Sequence, residues 1–121
     1  MMFVKSDKDM EAGVMPDPKQ FVEMNKYNEE LKKAGVLISL DGLHASSDGV
    51  RVNFDGGKIT TVNGPFSHPN ELVAGYWLIE TDSLQKAVDF AKRVPFDRGV
   101  IEIRQIQEMS DFPPEIQKVL N

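Results

Sequence analysis

The stretch from Glu71 to Glu80 is apolar at every position between its two end residues, and it constrains the fold more than any other part of the chain. Alternate side chains of a strand point to opposite faces, so Tyr76 and Trp77 must lie on different faces. Both faces carry apolar residues: Leu72, Ala74, Tyr76 and Leu78 on one, and Val73, Gly75, Trp77 and Ile79 on the other. Such a strand belongs at the centre of a sheet that is covered on both sides.

Two strand–helix–strand patterns flank a hairpin. The first helix is predicted to begin after Asp17 and Pro18, with Gln20 completing a capping box, and to end at Gly35. The second helix is capped by Asp82 or Ser83, stopped by Pro95, and buries a stripe of Leu84, Ala87, Val88 and Ala91. The predicted strands cover residues 2–4, 36–40, 50–54, 58–62, 71–80 and 100–106, with a polar loop over 6–17. The middle pair turns at residues 55–57, Asp-Gly-Gly, a hairpin signal.

This order predicts an α+β, ferredoxin-like fold with an antiparallel sheet and both helices on one face. The other face, which carries either Tyr76 or Trp77, would then expose a large apolar patch. Two sheets packed face to face would cover it. We therefore expect a homodimer, with one domain over residues 1–109 and a tail over 110–121 that forms a short helix after Pro113 and Pro114.

Composition excludes several classes of protein. The chain has 121 residues, a net charge of −5 and no cysteine. The negative charge argues against a nucleic-acid-binding protein, and the lack of cysteine excludes disulfides and thiolate nucleophiles. No apolar run approaches the roughly 20 residues of a membrane-spanning helix, and residues 1–5 do not begin a signal peptide. A soluble cytoplasmic protein without nucleic-acid or membrane partners is expected.

Several short motifs together resemble the YCII-related family, in particular its DGPF-containing branch, over residues 2–109. The matching segments are residues 11–13, 27–31, 34–37, 42–44, 62–66, 71–72, 75–80 and 101–104, with Ala91 and Pro95. The resemblance implies a dimeric α/β-barrel of ferredoxin-like protomers with a pocket between sheet and helices. Most members have no known biochemical function. Some relatives in the wider superfamily are enzymes on small organic molecules, with a His/Asp pair or without any cofactor.

The signature segment Asn63-Gly64-Pro65-Phe66 departs from the family motif, which begins with Asp. If that Asp acts as a base or a ligand, Asn63 cannot replace it. If it caps a turn through its side-chain oxygen, Asn63 serves equally well. The substitution favours the second, structural interpretation, in which Phe66 fills the core and anchors the turn.

His44 is the main candidate for a catalytic residue, because it follows a strand in a glycine-containing loop. Histidine, with an ordinary pKa of about 6.5, suits general acid–base chemistry, here with Asp41, Glu11 or Glu80 to orient the ring. The alternative is a histidine bound to loop backbone. Glu71 is the second candidate, either as a pocket carboxylate or as a salt-bridge partner that fixes the loop. His68 is expected at the surface, and the two histidines lack the spacing of a zinc site.

The candidate substrate-binding residues are Arg104, Tyr76, Trp77, Asn63 and Phe66. Arg104 either clamps a substrate carboxylate or forms an ion pair beside Glu102. One of Tyr76 and Trp77 belongs to the core, and the other lines a pocket or the dimer interface. The sequence therefore predicts a cofactor-independent enzyme for a small organic molecule, without a metal. The alternative is a non-catalytic metabolite-binding or accessory dimerisation module, which needs only an apolar pocket.

Overall fold

A computed structural model describes residues 1–120, which form two antiparallel sheets and four α-helices. The strands are β1 (Met2–Lys5), β2 (Leu37–Gly42), β3 (Val50–Asp55), β4 (Lys58–Asn63), β5 (Val73–Ile79) and β6 (Ile101–Ile103). Four of them form the main sheet in the order β2-β5-β1-β6, and β3 and β4 form a separate two-stranded sheet. The predicted α+β architecture is confirmed, and this strand order is the ferredoxin-like one. Asn121, the last residue of the predicted tail, lies outside the described residues.

The helices are α1 (Lys8–Glu11), α2 (Pro18–Lys33), α3 (Leu84–Lys92) and α4 (Pro114–Leu120). Asp17 caps α2 as expected, but Gln20 donates to the Pro95 carbonyl oxygen at 3.2 Å and not to a capping box. Ser83 caps α3 by accepting a hydrogen bond from the Lys86 backbone N–H. The helix predicted after Pro113 is present as α4. None of the helices in residues 1–120 is long and apolar enough to cross a membrane.

Several predicted boundaries were wrong, and β2 also runs two residues further than predicted, to Gly42. Helix α1 lies inside the segment predicted as a loop, because the Asp7 carboxylate accepts a hydrogen bond from the Met10 N–H and caps it. Strand β5 begins two residues late, since Pro69–Glu71 forms a 3₁₀ turn. Strand β6 is confined to Ile101–Ile103.

The core lies between the helices and one face of the sheet, and its buried residues are Met2, Tyr27, Leu31, Trp77 and Val94. The Tyr27 and Trp77 rings meet edge to face with centroids 5.5 Å apart. Trp77 Nε1 donates to Asn28 Oδ1 at 2.8 Å, which explains why one polar residue interrupts the apolar stripe of α2. Leu84, expected in the buried stripe of α3, is instead 69% exposed, at the first position of the helix.

Helices α2 and α3 pack on the Trp77 face of the sheet, and the opposite face, which neither of them covers, is called here the helix-free face. Phe3 of β1 is opposite Tyr76 of β5, and Ser39 of β2 is opposite Leu78, so these side chains share the helix-free face. Each of them is only half-buried. The structure thus assigns Trp77 to the core and Tyr76 to the uncovered face, which resolves the alternative left open by the sequence.

Alkaline pH is expected to weaken the fold through Tyr27. Burial raises the pKa of the Tyr27 hydroxyl to about 12, and the hydroxyl donates to the Phe90 carbonyl oxygen at 2.7 Å. Because the pKa of the phenol in the unfolded chain is near its ordinary value of 10.0, the contribution of Tyr27 to stability is complete below pH ~10 and is lost as pH rises toward 12. The expected loss is roughly 2–3 kcal/mol. Urea unfolding from pH 8 to 12 should show this loss of stability in the wild type and a smaller loss in Tyr27→Phe. Equal losses in the two proteins would contradict a role for Tyr27 in the pH dependence.

Candidate functional site

Three loops meet at the end of the sheet where β1 and β2 end and β5 begins. They contain α1, the segment from Leu43 to Gly49, and the segment from Gly64 to Leu72. The Leu43 N–H donates to the Ala74 carbonyl at 2.8 Å, and the Ser6 N–H donates to the Leu72 carbonyl at 2.9 Å. These bonds hold the starts of the first two loops against β5 or the residue before it, and the Gly64 N–H, at the start of the third, donates to the Gly49 carbonyl at 2.9 Å. Side chains distant in sequence therefore lie at one edge.

Ser46 joins all three loops. Its backbone N–H donates to Glu11 Oε2 at 2.8 Å, and its hydroxyl donates to Glu11 Oε1. The same hydroxyl oxygen accepts a hydrogen bond from the Phe66 N–H at 2.9 Å. Glu11 was considered from sequence only as a partner for His44, and Ser46 was missed altogether. No local signal could have found it, because its partners lie 35 and 20 residues away.

The signature turn packs directly on this junction. A Cβ atom at Gly64 would lie 1.7 Å from the Ser46 carbonyl oxygen, so only glycine fits there. The Gly64 N–H donates to the Gly49 carbonyl at 2.9 Å, and the Gly64–Pro65 peptide bond is cis. The side chain of Asn63 makes no hydrogen bond to any of residues 1–120, so it does not cap the turn as expected. Ser46, from another loop, takes that role.

Phe66 is half-buried beside the hairpin and lies outside the main core cluster. The Arg51 guanidinium of β3 stacks over its ring at 4.0 Å from the centroid, a cation–π contact. Phe66 thus packs at the base of the hairpin, and the prediction that it fills the core was wrong.

His44 has a carboxylate partner, although not one of the three expected. Its Nδ1 lies 2.8 Å from Asp48 Oδ2, across the 3₁₀ turn Ser46–Asp48. The two side chains are 86% and 65% exposed. Within residues 1–120 the second ring nitrogen, Nε2, makes no hydrogen bond. The pair therefore has the connectivity of an oriented acid–base group, but a single protomer does not shield it from water.

Two further candidates lie near the same end of the sheet. The Tyr76 hydroxyl donates to Asp41 Oδ2 at 3.0 Å on the helix-free face, just before the His44 loop. Glu71 ends the 3₁₀ turn before β5, with an exposed side chain, and its carbonyl oxygen accepts from Lys5 Nζ at 3.2 Å. In the part of the chain that the structure describes, no hydrogen bond or ion pair joins Glu71 to His44.

Arg104 lies at the opposite end of the sheet. Its N–H donates to the Met1 carbonyl at 2.9 Å, and its guanidinium pairs with Glu102 at 3.4 Å on the surface. It lines an open cleft of about 800 Å³ together with Met1, Leu78, Ser83, Leu84 and Glu108. Burial lowers the pKa of the Met1 α-amino group, which donates to the Arg104 carbonyl. The predicted site residues thus divide between two ends of the sheet.

The described residues offer no metal site, since none of their histidine, aspartate and glutamate side chains form a cluster of three or more. The His44–Asp48 pair and the Glu11–Ser46 junction are instead pairwise arrangements. An imidazole beside a carboxylate can transfer a proton, and the Glu11–Ser46 hydrogen bonds hold α1 to the loop that follows β2.

Comparison with known protein families gives one match that covers most of the chain. The sequence profile of the YCII-related domain matches residues 1–110. No curated protein matches the chain. The matched region includes all six strands, the first three helices and each loop of the site.

Proposed function

The chain belongs to the YCII-related family, and we propose that it is a cofactor-independent enzyme that acts on a small organic molecule by acid–base chemistry. His44 is the general acid/base of this proposal. The supporting observation is the 2.8 Å contact between His44 Nδ1 and Asp48 Oδ2. The segment from Asn63 to Phe66 favours the DGPF-containing branch of the family, with Asn in place of the first Asp.

Asp48 orients the imidazole in this mechanism. A carboxylate that accepts a hydrogen bond from Nδ1–H fixes the tautomer in which Nε2 carries the free lone pair. Nε2 then removes a proton from a C–H or O–H group of the substrate and returns it to another atom of the intermediate. Asp48 stabilises the imidazolium that forms between these two steps and is not consumed.

The residues around this pair divide by position. The proposed substrate-contacting set lies at the same end of the sheet as His44. It consists of Tyr76, Asp41, Asn63, Phe66 and Glu71. Trp77 is not included because it is buried under α2, where Asn28 holds its indole N–H. Arg104 is not included because it lies at the other end of the sheet.

The proposal also requires a homodimer. A general base works best in a site from which water is excluded, whereas His44 is exposed in the protomer. The helix-free sheet face with Phe3, Tyr76 and Leu78 is likewise uncovered. A two-fold dimer that pairs these faces would cover both features and would form the α/β-barrel that the family resemblance implies.

His44→Ala is expected to abolish turnover without loss of stability, because the exposed ring makes no contact with the core. Small organic acids and lactones would be screened with the wild type by NMR, and the best substrate would be assayed with each variant. His68→Ala, which removes the only other histidine, should keep full activity. Asp48→Asn should lower kcat about 10–10³-fold with little change in KM. Wild-type turnover by His44→Ala would overturn the proposal.

A second candidate function is a metabolite-binding module that does not catalyse a reaction. It is favoured by the separation between His44 and the 800 Å³ cleft at the Arg104 end. Ligands from the same screen that shift NMR signals of Arg104 and Leu84, with no turnover and no effect of His44→Ala, would support this function. Ligands that shift His44 and Tyr76 would support the enzyme.

A further inference from the structure

The acid–base pair of the proposed function depends on one short turn of the chain. Asp48 ends the 3₁₀ turn Ser46–Asp48, and His44 lies just before the turn, with Nδ1 2.8 Å from Asp48 Oδ2. Two backbone hydrogen bonds of 3.0 Å and 2.9 Å close the turn within residues 45–49. Because four residues of extended chain span up to about 13 Å, the two side chains meet only while the turn is closed.

The turn lacks a cap in its own sequence. Ala45 precedes it and has no side-chain acceptor, so the Ser46 N–H has no partner within the turn. Hydrogen bonds in 3₁₀ turns also have poor geometry, which keeps such turns short. Glu11 Oε2, from α1, accepts a hydrogen bond from the Ser46 N–H at 2.8 Å. A residue 35 positions earlier therefore supplies the missing cap.

Glu11 holds Ser46 at two points. Its other oxygen, Oε1, accepts a hydrogen bond from the Ser46 hydroxyl, and the hydroxyl oxygen in turn accepts from the Phe66 N–H at 2.9 Å. Hydrogen bonds to an ionised carboxylate are roughly twice as strong as those between neutral groups. Both the backbone and the side chain of Ser46 are thus fixed to α1.

The acid–base pair is too exposed to hold the turn closed by itself. The His44 and Asp48 side chains are 86% and 65% exposed, and surface ion pairs contribute only about 0–1 kcal/mol. Glu11 and Ser46 are half-buried, so water competes less for their hydrogen bonds. Within residues 1–120 no hydrogen bond or ion pair joins Glu11 directly to His44 or Asp48. The turn itself is therefore the connection between Glu11 and the pair.

Helix α1, which carries Glu11, is itself held in place. Asp7 Oδ1 accepts a hydrogen bond from the Met10 N–H at 2.8 Å and caps the helix, and the Ser6 N–H donates to the Leu72 carbonyl at 2.9 Å. A group can position another only when its own position is fixed. Helix α1 therefore holds Glu11 against the end of the sheet at which His44 lies.

We infer that Glu11 is a positioning residue for the His44–Asp48 pair. It holds the Ser46–Asp48 turn closed, which keeps the Nδ1–H of His44 on Asp48 and leaves Nε2 free to exchange a proton. The inference rests on the proposed function for its effect on turnover. Its effect on the geometry of the pair can be measured without a substrate.

The test measures the tautomer of the His44 ring by ¹⁵N NMR in four proteins. Glu11→Ala removes both acceptors, whereas Glu11→Gln keeps a carbonyl acceptor for the Ser46 N–H and an amide that can donate to Ser46 Oγ. Asp9→Ala is the matched control, because it removes another carboxylate of α1 whose side chain makes no hydrogen bond within residues 1–120. In Glu11→Ala the ratio of the Nδ1–H to the Nε2–H form should fall about fivefold, the equivalent of one lost hydrogen bond. Glu11→Gln and Asp9→Ala should keep the wild-type ratio.

Two results would overturn the inference. One is a wild-type tautomer ratio in Glu11→Ala when the Trp77 indole N–H signal shows an intact core. The other is an equal fall in Glu11→Gln and Glu11→Ala, which would make the charge of Glu11 responsible and not its position. If Glu11→Ala does not fold, Glu11→Asp replaces it, because it keeps the charge and shortens the side chain by one methylene.

A double-mutant cycle on turnover tests whether Glu11 acts through Asp48. Glu11→Ala is expected to lower kcat about 10-fold with little change in KM, and to add little to the loss caused by Asp48→Asn. Additive losses in the double variant would overturn the inference and leave the proposed enzyme standing. If the wild type turns over no substrate, the proposed function fails, and the tautomer ratios still decide whether Glu11 positions His44.

Discussion

Gly64→Ala is expected to lower the free energy of unfolding by about 3 kcal/mol or more. This loss is at or above the largest usually caused by adding a methyl group to a packed site. The new Cβ would lie 1.7 Å from the backbone oxygen of Ser46 and 2.6 Å from its carbonyl carbon. A backbone atom cannot rotate away as the tip of a side chain can. The loop from Leu43 to Gly49 must therefore separate from the turn, which breaks the Ser46–Phe66 and Gly64–Gly49 hydrogen bonds.

Gly42→Ala is the matched control. A Cβ at Gly42 meets no atom within 4 Å, and its φ lies outside the left-handed region, so the expected change is within ~0.5 kcal/mol. Urea unfolding of both variants, followed by fluorescence of the single tryptophan, measures the difference. A loss below about 1 kcal/mol for Gly64→Ala would show that the two loops can separate easily and that Ser46 does not hold the site together.

The elements predicted well from sequence are those whose cause is local. Asp17 and Pro18 start α2, and Gly35, with a φ of +72°, follows its end. Residues 55–57 turn the hairpin, and Gly56 and Gly57 both have positive φ, as that turn needs. The apolar residues on both faces of β5 predicted a central strand, and β5 lies between β2 and β1. Each of these signals lies within a few residues of the feature it determines.

The features that sequence alone missed depend on distant partners. Asn28 is a polar residue beside the buried side of α2, and its partner is the indole N–H of Trp77, 49 residues away. Ser46 carried no motif, yet it joins α1 to the signature turn. Arg104 and His44 are both polar residues near strand ends, but the antiparallel sheet puts β6 and β2 exits at opposite ends. Residue type predicted the chemistry that each side chain can perform, and only the topology determined which of them meet.

The contacts of the signature segment Asn63-Gly64-Pro65-Phe66 distinguish its two interpretations. Its glycine is required by the close approach of Ser46, and its Phe66 is held by Ser46 and Arg51. Asn63 makes no such contact within residues 1–120, so the first position is free of the constraint that fixes Gly64. An Asp at that position would keep the turn and add a charge near the site. The turn therefore explains Gly64 and Phe66 as structural residues, and the side chain of Asn63 has no part in that explanation.

Trp77→Ala is expected to cost about 3–5 kcal/mol, because Trp77 is 5% exposed at the centre of the core. The substitution leaves a cavity beside Tyr27 and Leu31, and it removes the donor that satisfies Asn28 Oδ1. An unsatisfied polar group in a half-buried position adds to the loss of apolar contacts. The effect is therefore expected at the upper end of this range.

Trp77→Phe separates the two contributions. It keeps an aromatic ring against Tyr27, so most of the packing remains, while the hydrogen bond to Asn28 is lost. We expect a cost of about 1–3 kcal/mol for this variant, less than for Trp77→Ala. Unfolding must be followed by circular dichroism, because both variants lack the only tryptophan. If Trp77 instead lined a ligand site, Trp77→Ala would unfold within ~1 kcal/mol of the wild type and lose ligand affinity; core packing and the indole hydrogen bond predict the reverse.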